Sequence, residues 1–197
     1  MTLGYLELPY QSIVLPYNDE KTPLTLTGTK MLPIMVIDDE AMNESLQIMA
    51  RIDQENVLKL SSLTENNHYS SFNEILTKLG TNVHNLAMPY WIWTPEFDST
   101  SRNYFQQKKE VKRGPFKELV QKNQEYLKPL QNDLSVLTND LKPFYRSDKF
   151  NVYDILLASH LWGLYVVPEF QFSEAIHNYL QRVKDICHFN YHQDFWS

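Results

Sequence analysis

The chain has 197 residues, a formal net charge of -6, 43% hydrophobic and 13% aromatic residues, and one cysteine, Cys187. That is enough chain for one domain or two small ones with a real core, and too apolar for disorder. An acidic balance without a basic cluster argues against nucleic acid. No apolar run approaches a membrane span, no secretory signal precedes the first motif, and a lone cysteine excludes a disulfide framework and fits a reducing, cytoplasmic setting.

Met1 to Leu6 reads as the last turns of a helix. Tyr10 to Leu15, with Ile13, Val14 and Leu15 contiguous, predicts a buried strand. Pro16 to Lys21 is a loop, and Thr22-Pro23 opens a short helix that stops at Gly28. A strand follows Pro33 and pairs with another near Ala41-Met42 as a hairpin around Asp38-Asp39. An amphipathic helix then runs from Glu44 to near Asn56, with Leu46, Ile48, Met49 and Ile52 on it.

Ser61 to Asn67 is a polar linker and the expected boundary between a domain over 1–60 and an all-helical domain over 64–197. Beyond it Phe72, Ile75, Leu76, Leu79, Val83 and Leu86 recur at helical spacing, and Met88-Pro89 and Thr94-Pro95 punctuate the pattern. Ser99 to Glu110 and Phe116 to Lys142 read as helices, the latter kinked or broken at Pro129. Asn151 and Asp154 form a capping box for an apolar helix from Ile155 to Tyr165, and Ser173 to His188 is a last amphipathic helix. The aromatic tail from Phe189 to Trp196 suits packing on the domain or on a partner.

The chemistry concentrates near Pro33. Proline fixes φ, lacks an N–H and is the residue whose preceding bond can be cis. A cis Leu32-Pro33 bond would turn the Leu32 main chain outward to pair with an extended peptide. Glu44-Ser45 at a helix start offers backbone donors to a carboxylate and an acceptor to an ammonium. One zwitterionic peptide could use both. The bland alternatives are a proline at a strand start and first-turn electrostatics of about 0.3–1 kcal/mol. Pro33 alone fits the bland reading; with Glu44-Ser45 beyond the hairpin, the functional one is favoured.

Gly28-Thr29-Lys30-Met31-Leu32-Pro33-Ile34, Asp38-Asp39, Glu44-Ser45, Phe97-Asp98-Ser99-Thr100, Tyr104-Phe105 and Lys108-Lys109-Glu110 come in order, after Asn18-Asp19-Glu20-Lys21-Thr22-Pro23. Together they resemble the bacterial glutaredoxin 2 family, the glutaredoxins built like glutathione S-transferases (GST), from Met1 to about Tyr165. The resemblance implies an α/β thioredoxin-like N-terminal domain and an all-α GST-like C-terminal domain. It implies that Glu44 and Ser45 grip the γ-glutamyl end of glutathione and that Leu32, before Pro33, pairs with its cysteinyl unit. Lys21 and Lys30 are candidates for its glycine carboxylate, although a loop lysine is usually just solvated.

The implied activity is glutathione-dependent thiol-disulfide exchange, with glutathione as co-substrate and disulfide-containing or glutathionylated proteins as substrates. The family's first strand and Cys-x-x-Cys turn have no counterpart here, so the thioredoxin-like domain is expected to be incomplete, through a misplaced start or a real loss. No catalytic residue is assigned. The alternatives are a non-enzymatic GST-like scaffold with residual glutathione binding, and a glutathione transferase. Cys187, next to His188, reads as a structural thiol, since consecutive helical side chains point apart. The six histidines are scattered, and His188 and His192 lack an HExxH context, so no metal site is expected. Trp91-Ile92-Trp93 reads as core or cleft wall.

Overall fold

A computed structural model describes residues 1–65, 68–168 and 170–190. The order of elements is α1 (Thr2–Tyr5), α2 (Lys21–Thr27), β1 (Met35–Ile37), β2 (Glu40–Met42), α3 (Ser45–Ile52) and α4 (Ser62–Glu65), then α5 (His68–Trp91) and α6 (Ser99–Arg113). After these come α7 (Phe116–Gln121), α8 (Asn123–Thr138), α9 (Val152–Leu161), which runs on as a 3-10 turn over Trp162–Val166, and α10 (Glu174–Ile186).

The hairpin forms as its sequence predicts. β1 and β2 are antiparallel, with Met35 opposite Met42 and Ile37 opposite Glu40. Asp38 and Asp39 take φ of 52° and 64°, the left-handed pair that matches the twist of a two-residue hairpin loop. Aspartate tolerates that region because its short side chain bonds locally. α2 ends at Gly28, φ 73°, whose N–H donates to Leu24 O at 3.0 Å. A residue with a Cβ would be strained there.

The Tyr10–Leu15 expectation fails. Residues 9–16 form no regular element, and Ile13 and Val14 are 74% and 45% exposed. A contiguous apolar run becomes a buried strand only where strands flank it, and among the described residues the sheet consists of β1 and β2 alone. Other differences are smaller. The linker contains the turn α4, while Asn66 and Asn67 lie outside the described residues. Pro89 and Pro129 sit inside α5 and α8, and the break falls at Lys122 instead. Of the aromatic tail, residues 191–197 lie outside the described residues.

The core sits in the helical part. α5 packs against α7, α8, α9 and the 3-10 turn, α10 packs against α8 and α9, and Leu79, Leu130, Leu157, Leu161 and Leu180 are fully buried among them. α9 starts with the expected capping box: Asn151 Oδ1 accepts from Tyr153 N at 2.9 Å, and Asp154 Oδ2 accepts from Asn151 N at 3.0 Å. Asp154 Oδ1 also accepts from Tyr145 N at 2.7 Å and Tyr179 OH at 2.9 Å. Burial pushes its carboxyl up to about 6 despite these bonds. α3 docks on this core through Met49, and the segment behind it through Leu58, whose carbonyl accepts from Val152 N at 2.9 Å. α1 rests on the end of α10, where a Cβ on Gly4 would stand 1.8 Å from Cys187 O.

Candidate functional site

Three devices hold the region of Pro33 and Glu44. The Leu32-Pro33 bond is cis, and Leu32 is 46% exposed. Asn43, between β2 and α3, donates to Thr27 Oγ1 at 2.9 Å and Thr29 Oγ1 at 2.7 Å, which fixes where α3 begins relative to the end of α2. Glu44 is the N-cap residue of α3, with φ -89° and ψ 115°, but its side chain does not cap the helix. Glu44 and Ser45 are exposed, so a carboxylate acceptor and the first-turn N–H groups of α3 face solvent.

The two lysines differ. Lys21 is exposed at the start of α2. Lys30 Nζ donates to the Tyr17 carbonyl at 2.7 Å and to the Asp19 carbonyl, and lies 5.6 Å from the Tyr17 ring centroid. It therefore braces the loop before α2. The same loop is held to α6: Ser101 Oγ donates to Asn18 Oδ1 at 2.8 Å, and Glu20 meets both Tyr104 OH and Lys108. The Tyr104 bond holds the Glu20 carboxyl below its usual range.

A cleft of about 1250 Å³ separates the hairpin side from the helices. The segment from Leu8 to Leu15 and Leu32 to Ile37 form one side; His84, Met88, Trp91, Phe97, Phe105 and Lys109 form the other. Leu32 and Pro33 thus reach the cleft, whereas Glu44, Ser45, Lys21 and Lys30 lie outside its lining. Trp91 is fixed by its Nε1–H, which donates to Gly163 O at 3.1 Å, and Ile92 is buried. Trp93 is instead 68% exposed, with the Arg102 guanidinium 4.2 Å from its ring centroid.

Cys187 is buried, burial pushes its thiol up to about 11, and it lies outside the cleft lining. Such a thiol is almost wholly protonated near neutrality, and the thiolate is the nucleophile. Among the described residues no group of three or more His, Cys, Asp or Glu is placed to hold a metal ion, and no helix is long and apolar enough to cross a membrane. Reading the sequence missed Asn43, although its place just before Glu44 was a signal. It also missed His84 and Lys109, whose setting depends on how α5 meets α6.

The chain is similar to glutaredoxin 2 of Escherichia coli (strain K12), 27% identical over 184 residues that span 91% of this chain and 84% of that protein. The glutaredoxin 2 of Escherichia coli O157:H7 matches to the same extent. In structure the chain is similar to glutaredoxin 2 from Salmonella typhimurium, crystallised in complex with glutathione: TM-score 0.83, 26% identity, 96% of this chain and 88% of that one. Glutathione transferase Omega 3C from Trametes versicolor shares the fold, with TM-score 0.51 and 18% identity over 94% of this chain and 79% of that one. The fold is therefore an α/β thioredoxin-like N-terminal part, with a sheet of two described strands, followed by an all-α GST-like part. Residues 1–59 match the N-terminal domain of glutathione S-transferases, residues 71–194 match the C-terminal domain of glutaredoxin 2, and the chain belongs to the glutaredoxin 2 family.

Proposed function

We propose that this chain recognises glutathione for thiol-disulfide exchange of the glutaredoxin kind. The observation that carries the reading is the exposed start of α3, with Glu44 and Ser45, one hairpin away from the exposed Leu32-Pro33 pair. Glu44 accepts from the ligand ammonium, Ser45 and the first-turn N–H groups take its α-carboxylate, and the Leu32 main chain pairs with the cysteinyl unit. Lys21 takes the glycine carboxylate. Lys30 acts in second place, since its amine already serves two carbonyls. The recognition domain covers 1–60 and the helical domain 64–197.

Across the whole exchange two glutathione thiols are oxidised to one disulfide while a substrate disulfide is reduced to two thiols. In each step a thiolate attacks one sulfur, and the other sulfur leaves and takes a proton. The substrates fitting this role are disulfide-containing or glutathionylated proteins of the cytoplasm. The burial of Cys187, the only cysteine in the chain, favours a second reading, a GST-like scaffold that binds glutathione without exchange.

Calorimetric titration with glutathione tests recognition. The native chain should bind, and Glu44→Ala should lose a charge-assisted contact of about 1.5–3 kcal/mol, a tenfold loss or more. Lys30→Ala should lose less. No binding by the native chain would overturn the reading; a larger loss for Lys30→Ala would reverse the orientation of the peptide. Reduction of a glutathione mixed disulfide then separates exchange from the scaffold reading.

A further inference from the structure

The N-terminal part meets the helices at two places that are built differently. The cleft lining reaches from Ile52, at the end of α3, to Tyr17, Phe97 and Phe105, so it touches both. The first place is apolar. Met49 and Leu58 belong to the main core, and Leu58 is 0% exposed, with its carbonyl accepting from Val152 N at 2.9 Å. Asp53, buried where α3 ends, ties the turn that follows: its Oδ1 accepts from Val57 N at 2.8 Å and its Oδ2 from Leu58 N at 2.9 Å.

The second place is largely polar and nearer to solvent. Residues 16–20 face Ser101, Tyr104 and Lys108, which follow one another at i, i+3 and i+7 on one side of α6. Ser101 Oγ donates to Asn18 Oδ1 at 2.8 Å, and the exposed Glu20 meets Tyr104 OH and, at 3.8 Å, Lys108 Nζ. The half-buried Tyr17 ring lies 4.8 Å from Phe105 and 5.5 Å from Phe97 between centroids. Lys30 keeps the loop in this shape. Its amine donates to the Tyr17 and Asp19 carbonyls and lies 5.6 Å and 5.7 Å from the ring centroids of Tyr17 and Tyr104. Water and salt weaken exposed ion pairs, and a polar bond at the surface exchanges readily for one to water. A fully buried contact such as that of Leu58 has no such substitute, so the second place opens first.

We propose that residues 16–20 and this side of α6 form a clasp that opens and shuts the cleft about the anchored turn Asp53–Leu58, with Lys30 as the positioning residue of the shut form. When the clasp is shut, Tyr17 stands with Phe97 and Phe105 in the cleft lining. When it is released, the loop leaves α6 and the cleft widens. The clasp governs access to the cleft whatever molecule the cleft holds.

The test is the distance between nitroxide labels at Val36→Cys and Val111→Cys, both exposed in the native chain, read by double electron–electron resonance in full-length Cys187→Ser. A second pair at Val57→Cys and Val136→Cys reports the anchored side. Lys30→Met should add a population of longer Val36–Val111 distances and leave the Val57–Val136 distances unchanged. Glu20→Gln, which leaves Lys30 in place, should act in the same direction, Tyr104→Phe should do less than Lys30→Met, and Lys128→Met, exposed on α8, should change neither pair. In Lys30→Met the amides of 17–20 and 101–105 should exchange about tenfold faster, while those of 155–157 keep their rates. Unchanged Val36–Val111 distances in both Lys30→Met and Glu20→Gln would overturn the proposal. So would joint broadening of both label pairs with faster exchange at 155–157, which would make these contacts general supports of the fold and not a clasp.

Discussion

Ile13-Val14-Leu15 and Ile155-Leu156-Leu157 are similar runs in different surroundings. Ile13 is 74% exposed on the rim of an open cleft, whereas Leu157 is 0% exposed between packed helices. Both carry the same transfer free energy into an apolar site, about 1.5–3 kcal/mol per side chain when fully buried. Only the second run realises it, because α9 meets α5 and α10, while among the described residues no strand flanks 13–15. Burial is a property of the neighbours as much as of the run.

The sharpest way to break this comparison is truncation at both places. Leu157→Ala should cost about 2–5 kcal/mol, since it removes fully buried methyls and leaves a cavity. Ile13→Ala should cost less than about 0.5 kcal/mol, the range of surface changes. Urea unfolding of the two variants reads the difference directly. Similar losses would mean that the cleft rim is packed like the core.

A pH series sharpens it on the helical side. Asp154 is held up near 6 against an ordinary 3.8, so its native state keeps a proton that the unfolded chain has lost between those values. Its contribution is complete below about pH 4 and is lost as pH rises through 6. His84, held down near 4 against 6.5, works the other way: its contribution is complete above pH 6.5 and is lost as pH falls towards 4. The two oppose each other between pH 4 and 6. His84→Asn should therefore tilt the stability profile downward with rising pH relative to the native chain, by at most about 1.4 kcal/mol per pH unit. A parallel profile would show that His84 titrates normally.

The smallest effect is expected at Cys187. Buried, with its thiol near 11, it should resist alkylation at pH 8 until the chain is unfolded. Cys187→Ser should leave the rate at which the chain reduces a glutathione mixed disulfide unchanged. Activity that disappears in the variant would make Cys187 a nucleophile.

What the sequence disclosed follows the range of the forces involved. The hairpin at Asp38-Asp39, the Gly28 stop of α2 and the Asn151–Asp154 capping box are local, made by residues within a few positions of each other, and each is found where its motif stands. The fate of Tyr10–Leu15 turned on whether strands flank it, and among the described residues none does, which no local pattern reports. Pro129 lies inside α8 and the break falls at Lys122, a residue with no breaker character. At the candidate site, Glu44 and Ser45 could be singled out because a helix start is local. Lys30 had no such cue: its amine is drawn to the carbonyls of Tyr17 and Asp19, more than ten residues away. His84 looked like any scattered histidine, and its setting comes from burial and from Arg113, 29 positions on.

Amide hydrogen exchange tests the contrast between the two parts most directly. Exchange follows the free energy of local opening, which is lowest where backbone is unpaired and apolar contact is sparse. The amides of Ile13, Val14 and Leu15 should exchange fastest, those of Ile34, Met35 and Val36 in the two-stranded hairpin next, and those of Ile155, Leu156 and Leu157 slowest by orders of magnitude. Strong and equal protection in all three segments would contradict the account, because it would require 13–15 and the outer edge of β1 to be paired as firmly as α9 is packed.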